Sequence, residues 1–194
     1  MHFGQVMQEL AARLDRDAIV VSGVGNHNVW PQMTLAIRDR ESFIQENAWC
    51  TMGSELGGGI AAKLVYPERQ VVVITGDGSL LMAMSDLVTA VELGANILIV
   101  VLNDSRYGII NAIQQRQYQR SYGDEIGTIN FASFAESFGA TGIRVESPEE
   151  LPDAVTRALA LSAETPVVLD VVCDYKYRWP DRDAILASGG SDKE

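Results

Sequence analysis

Two stretches, Gln70–Thr75 (QVVVIT) and Ile97–Leu102 (ILIVVL), are apolar almost without interruption. A strand with one face in water alternates polar and apolar residues, so short unbroken apolar runs suit strands covered on both faces, as in a parallel sheet flanked by helices. Between them, the segment 80 to 93 carries Leu80, Leu81, Met84, Leu87, Val88 and Val91 at helical spacing and is stopped by Gly94. A strand, helix, strand unit of this kind crosses over and sets two carboxyl ends on the same edge of a sheet. The alternation continues along the chain. Helices are expected over 3–14, 53–65, 107–120 and 131–138, and strands over 18–21, 42–45, 142–145 and 167–172. Tyr66-Pro67 ends the second helix, because a residue before proline avoids the helical region. Ser147-Pro148-Glu149-Glu150 reads as a capped start of a helix reaching Ser162. The pattern is that of an α/β fold, a doubly wound parallel sheet with helices on both faces.

A chain of 194 residues with 47% hydrophobic content fits one globular domain, expected over 1–187, followed by a frayed polar tail at 188–194. No run approaches the roughly 18 apolar residues of a membrane span, and no basic-then-apolar leader opens the chain, so a soluble cytoplasmic protein is expected. The net charge of −11 disfavours nucleic acid and anionic membranes as partners. Cys50 and Cys173 form no metal-binding pattern and are expected to be reduced and at least partly buried.

Each apolar run ends in a polar motif: Gly76-Asp77-Gly78-Ser79 after the first, Asn103-Asp104-Ser105-Arg106-Tyr107-Gly108 after the second. Open α/β sheets bind ligands outside the carboxyl ends of their strands, so Asp77 and Asp104 are expected to meet there. Mg²⁺ usually takes one or two carboxylates and completes its shell with substrate phosphate and water, which matches this pair. Backbone N–H groups where a helix starts at Ser79 would face the same anion. The blander reading is that each aspartate caps a turn after its strand.

Together these motifs resemble the diphosphate-binding signature of thiamine diphosphate (ThDP) enzymes, in particular the acetolactate synthase, pyruvate decarboxylase and benzoylformate decarboxylase group. Val24-Gly25-Asn26-His27-Asn28-Val29-Trp30 is similar to that group's strand-end segment. Thr51-Met52-Gly53 with Gly57 to Leu64 resembles its cofactor-wedge turn and helix, and Phe134 to Ala140 its later helix and turn. The resemblance spans roughly residues 5 to 173. It implies a magnesium ion held by Asp77, Asp104 and the backbone carbonyl of Arg106, whose side chain would be free. Asp104 stands where the group usually has the second of two asparagines, which adds negative charge and should make binding depend more steeply on Mg²⁺. Asn103 would replace it as ligand only if the loop shifted by one residue, and otherwise fixes the loop.

The resemblance also implies diphosphate contacts from Asn26, His27, Gly78 and Ser79, and it puts Tyr107, Gly108 and Ile109 among the cofactor-binding positions. Met52 matches the apolar wedge that bends ThDP, and Cys50 the backbone carbonyl that supports it; with His27 these are the positions implied in catalysis. Ile110 and Ile113 match substrate-pocket positions that are an acid in pyruvate decarboxylases and a tryptophan in plant-type acetolactate synthases. Gln114 to Gln117 are read as a solvated face. The family's activating glutamate lies on a separate pyrimidine-binding domain, for which this chain has no room. A second subunit is therefore expected to carry it, this chain being one part of a split enzyme that decarboxylates a small 2-oxo acid. Met1 followed at once by a complete helix is read as a natural start. Two other readings stay open: a catalytically silent ThDP-binding or regulatory subunit, and a nucleotide-binding Rossmann protein built on Gly23-Val24-Gly25, although the third glycine of that fingerprint is Asn28.

Overall fold

The computed structural model describes residues 1–174 except 37, 40 and 47; the end of the predicted domain and the predicted tail lie outside the described residues. Six strands form one sheet: β1 Ile19–Ser22, β2 Phe43–Gln45, β3 Val71–Gly76, β4 Leu98–Asn103, β5 Thr141–Val145 and β6 Val167–Val172. Their order is β2-β1-β3-β4-β6-β5, and every pairing is parallel. The helices are α1 Phe3–Ala11, α2 Val29–Thr34, α3 Ser54–Val65, α4 Asp77–Ala83, α5 Leu87–Glu92, α6 Gly108–Tyr118, α7 Phe131–Ser137 and α8 Leu151–Leu161.

Alternate residues of the central strands feed two cores. Val72, Ile74, Val100 and Leu169 pack with Phe3, Met7, Leu10, Trp30 and Val155 on one face. Val71, Val73, Ile99 and Val168 pack with Leu56, Leu80, Leu87 and Phe131 on the other. Both β3 and β4 are buried along their whole length, as their unbroken apolar sequences require. Each aliphatic side chain so buried contributes about 1.5–3 kcal/mol relative to exposure. Among the described residues, no helix is long and apolar enough to cross a membrane.

After β1 the chain steps outward to β2, then returns to place β3 on β1's other side. Such a reversal opens a crevice at the carboxyl ends of the strands it separates. Here those ends are β1, running into Gly23-Val24-Gly25, and β3, running into Gly76-Asp77, with the end of β4 alongside.

Several predicted helices differ in detail, α1 ending at Ala11 where 14 was expected. The helix expected over 80–93 begins three residues earlier, at Asp77, and is broken: Ala83 leaves helical geometry (φ −129°, ψ 7°), and a 3₁₀ turn at Met84–Asp86 leads into α5. Leu80, Met84 and Leu87 stay buried on both sides of the break, while Leu81 and Val88 face out. The helix expected to begin at Ser147-Pro148 begins at Leu151 instead. Only half of the capping box forms: Glu150 Oε2 accepts the N–H groups of Ser147 and Glu146, both at 3.2 Å, and Glu150 itself becomes the cap. α6 spans Gly108–Tyr118, shorter at both ends than expected, and stops where Gln119 turns left-handed (φ 54°).

Candidate active site

A cleft of about 150 Å³ opens at the switch point, lined by Val24 to His27 from β1, Cys50 and Met52 ahead of α3, Gly76 to Ser79 at the β3–α4 junction, and Asp104 and Arg106 to Ile110 from β4 and α6. The chain ends that build it are tightly fitted. A Cβ on Gly78 would stand 2.6 Å from the Tyr107 ring, and one on Gly108 2.6 Å from Asn26 Nδ2 and 2.9 Å from Asp104 Oδ2, so both positions need glycine for close approach. The β3 motif is tied to the α3 turn by Gly53 N–H donating to Ser79 Oγ at 2.8 Å. That bond uses the oxygen of Ser79 as an acceptor and leaves its O–H to donate.

Asp77 is the first residue of α4 and only 3% exposed. Its Oδ1 accepts from Gly78 N (2.7 Å) and its Oδ2 from Arg106 N (3.2 Å), which links the ends of β3 and β4 directly. The Gly78 N–H, expected to face a diphosphate, is thus directed at its neighbour's carboxylate. Burial raises the pKa of Asp77 to about 6, against the opposing pull of backbone N–H groups from Gly78, Ser105 and Arg106. Burial and then the charge of Asp77 raise that of Asp104 to about 7. Neither carboxylate is salt-bridged among the described residues. Two crowded acids without a paired cation form a site that favours positive charge.

Among the described residues no group of three or more His, Cys, Asp or Glu side chains is placed to hold a metal ion. A closed protein cage is therefore ruled out for these residues, while two carboxylates plus a carbonyl and phosphate oxygens fit the way Mg²⁺ is usually held. A second fit comes from His27. Its ring is 5% exposed, wedged against Gly25 and Gly76, and its Nε2 has no hydrogen-bond partner. Burial lowers its pKa to about 4, so the imidazole is neutral at pH 7. A buried ring nitrogen without a partner, at the edge of a cleft, is suited to a polar ligand.

Several sequence expectations need correction. Arg106 does not have a free side chain: Nη1 donates to Asp124 at 3.1 Å and Nη2 to Glu125 at 2.8 Å. Gln114 and Gln115 are not simply solvated. Gln114 exchanges hydrogen bonds with the Tyr122 backbone (2.7 and 3.3 Å), and Gln115 donates to Ser121 (3.3 Å). Cys50 is exposed, not buried, and sits at φ 55° just before Thr51-Met52-Gly53, whereas Cys173 is buried, which pushes its thiol pKa up. Ile113 is exposed one turn beyond the cleft and does not line it, whereas Ile109 and Ile110 do.

Asn103 turns away from the pair. Its Nδ2 donates to Ile129 O (3.0 Å) and Asp170 Oδ1 (2.9 Å), so it fixes the strand ends and leaves Asp104 as the residue facing the cleft. Sequence reading missed Glu46, whose carboxylate accepts Trp49 N–H (2.7 Å) and Thr51 N–H (3.1 Å) and so holds the turn carrying Cys50; these bonds lower its pKa. It also missed Asp124. Burial works against that carboxylate, but hydrogen bonds from Asn111, Arg106 and Ser121 outweigh it and bring its pKa below the usual value. An acid a few residues before a turn and another in a polar loop leave no local signal of either role.

A parallel sheet with a switch point and paired acids at the ends of two central strands is an α/β domain with a ligand crevice at those strand ends. Residues 23–171 match the family model described as thiamine pyrophosphate enzyme, C-terminal TPP binding domain, and the chain belongs to that family. Among curated proteins it is 36% identical over 171 residues to an acetolactate synthase of Bacillus subtilis (strain 168), covering 88% of this chain and 30% of the relative. It is 35% identical over 169 residues to a pyruvate oxidase of Lactiplantibacillus plantarum, covering 87% of this chain and 28% of that protein. The chain thus spans less than a third of the length of these relatives. Among solved structures, the fold is similar to Rhodococcus jostii RHA1 thiamine diphosphate-dependent 4-hydroxybenzoylformate decarboxylase, with a TM-score of 0.83 at 24% identity over 91% of this chain and 33% of that one. Family membership sets aside the nucleotide-binding alternative. The local geometry agrees, since Gly23-Val24-Gly25 opens a three-residue 3₁₀ turn at Asn26–Asn28 and a short α2, where a dinucleotide fingerprint would open a full helix.

Proposed function

We propose that this chain is the diphosphate-binding subunit of a split enzyme that uses ThDP and Mg²⁺ to decarboxylate a small 2-oxo acid, either releasing an aldehyde or passing the acyl carbon to a second carbonyl compound. The observation that carries this reading is the Asp77–Asp104 pair, Asp77 buried and Asp104 half-buried, with no salt bridge among the described residues, at the ends of adjacent strands and facing one cleft with His27 and Met52. When bound, ThDP supplies the electron sink on which loss of CO₂ depends. The chain's own residues bind and orient. Asp77, Asp104 and the Arg106 carbonyl would hold the ion; Asn26, His27 and the Ser79 hydroxyl would hold the diphosphate. Met52 supports the bend between the cofactor's rings beside the Cys50 carbonyl, and Ile109 and Ile110 supply an apolar wall that keeps water from the reacting carbon. Tyr107 and Gly108 line the same cleft and would close it around the group.

Two features support a partner subunit. A cleft of about 150 Å³ is half or less of the roughly 300 Å³ at which ligand pockets begin, so this surface encloses only part of a cofactor of that size. Among the described residues the carboxylates that line it are those of Asp77 and Asp104, so the pyrimidine-activating acid is expected from outside this domain. Native mass spectrometry of the complex isolated from its own organism, with ThDP and Mg²⁺ present, should find this chain with a second protein and bound ThDP. An assembly of this chain alone that turned over a 2-oxo acid would contradict the split, and a complex unable to retain ThDP would contradict the cofactor.

A further inference from the structure

The loop after α6 doubles back along that helix and lies against the turn that follows β4. Arg106 pairs with Glu125 in an isolated antiparallel bridge, Tyr107 N donates to Asp124 O (2.8 Å), and Ile126 N donates to Ser105 O (3.2 Å). At the centre of this contact is the Asp124 side chain, 3% exposed, whose Oδ2 accepts from Arg106 Nη1 at 3.1 Å and from Asn111 Nδ2 at 2.7 Å. Asp124 is not in the cleft and touches neither Asp77 nor Asp104. It grips the side chain of Arg106, whose main-chain N–H lies 3.2 Å from Asp77 Oδ2, and a residue on the first turn of α6. The turn it braces is strained: Ser105, between Asp104 and Arg106, has φ 59°, a left-handed conformation that a non-glycine residue keeps only when its surroundings enforce it. Main-chain bonds from Tyr107 and Ile126 together with the buried Asp124 carboxylate supply that enforcement.

We propose that Asp124 is a positioning residue of the metal site: by holding Arg106 and Asn111 it sets the Ser105–Arg106 turn that offers the Arg106 carbonyl to the ion. This inference rests on the metal–diphosphate reading of the cleft. A carboxylate acting on ligand geometry from outside the coordination sphere typically changes metal affinity about 10- to 100-fold. The side chain of Arg106 is therefore part of the machinery even though only its main chain faces the ion.

The test is calorimetric titration of Mg²⁺, with saturating ThDP, into this chain assembled with its partner subunit. Asp124→Ala should weaken the apparent Mg²⁺ affinity by about ten-fold or more. Asp124→Asn should recover part of the loss, since an amide oxygen still accepts from Asn111. Arg106→Met, which keeps the carbonyl, should reproduce the Asp124→Ala effect, and the double variant should be no worse than either single one. Val155→Ala, in the core on the α1 and α8 side of the sheet, should lower the melting temperature without moving the Mg²⁺ constant. If the unaltered chain binds Mg²⁺ with ThDP and Asp124→Ala binds it equally well, the positioning role is wrong and the site reading stands. A Val155→Ala shift as large as that of Asp124→Ala would likewise overturn the role, by reducing it to loss of stability. If the unaltered chain shows no Mg²⁺-dependent binding, the site reading fails and takes this inference with it.

Discussion

Two carboxylate sites lie at neighbouring positions on the sheet and are built in opposite ways. On β6, Asp170 is fully buried and fully answered: Asn103 Nδ2 donates to it at 2.9 Å, Phe131 N at 2.9 Å and Arg144 Nη1 at 2.5 Å. At the ends of β3 and β4, Asp77 is buried and Asp104 half-buried with no salt bridge among the described residues; burial raises the pKa of Asp77 to about 6, and burial and then the charge of Asp77 raise that of Asp104 to about 7. Asp170 fastens β4, β5 and α7 to β6 and ends there. The pair is left with an electrostatic deficit that a cation removes. Burial of an acid alone does not mark a site; burial without a compensating charge does.

That contrast breaks first under substitution. Asp170→Ala should cost about 3 kcal/mol or more in chemical denaturation, because it strands the Asn103 amide, the Phe131 N–H and the Arg144 guanidinium together. Asp77→Asn and Asp104→Asn should do the reverse: the unliganded fold keeps or slightly gains stability as the repulsion is relieved, while Mg²⁺-dependent ThDP binding falls on the order of 100-fold or more by equilibrium dialysis. If either variant unfolded as readily as Asp170→Ala, the distinction between a structural and a binding carboxylate would collapse.

The pH dependence sharpens the comparison. His27 has a folded pKa of about 4 against about 6.5 unfolded, so between these values its share of the stability falls as pH is lowered, whereas Asp77 and Asp104, raised in the fold to about 6 and about 7, contribute in the opposite direction. His27→Gln should remove the imidazole's share and shift the slope of unfolding free energy against pH toward more negative values between about pH 6.5 and about pH 4. An unchanged slope would mean that the imidazole is protonated in the fold. The smallest effect belongs to Ile113→Ser, half-exposed and outside the cleft, which should alter the stability of the isolated chain by less than about 0.5 kcal/mol in thermal melts.

What the sequence revealed follows from how local each determinant is. β3 and β4 were legible because full burial in a parallel sheet writes itself as an unbroken apolar run, and the two aspartates because each sits directly at a strand end. The break at Met84–Asp86 was hidden, since Leu80, Met84 and Leu87 keep one apolar face whether or not the helix is continuous. The Ser147 start failed because Glu150 reaches back to cap the chain before helical geometry begins. The Arg106–Asp124 and Asn103–Asp170 bonds join residues 18 and 67 positions apart, and no spacing rule connects such pairs. Sequence thus located the cleft, while the contacts that hold its walls in place emerged only from the fold.

The central claim is that Asp77 and Asp104 share a metal ion. Crystals of the chain grown with ThDP and Mn²⁺ in place of Mg²⁺ would test it through the anomalous signal of manganese. The account predicts a single strong peak at coordination distance, about 2.0–2.3 Å, from both carboxylates and from the Arg106 carbonyl. A peak bound elsewhere, or none at a saturating Mn²⁺ concentration, would contradict it.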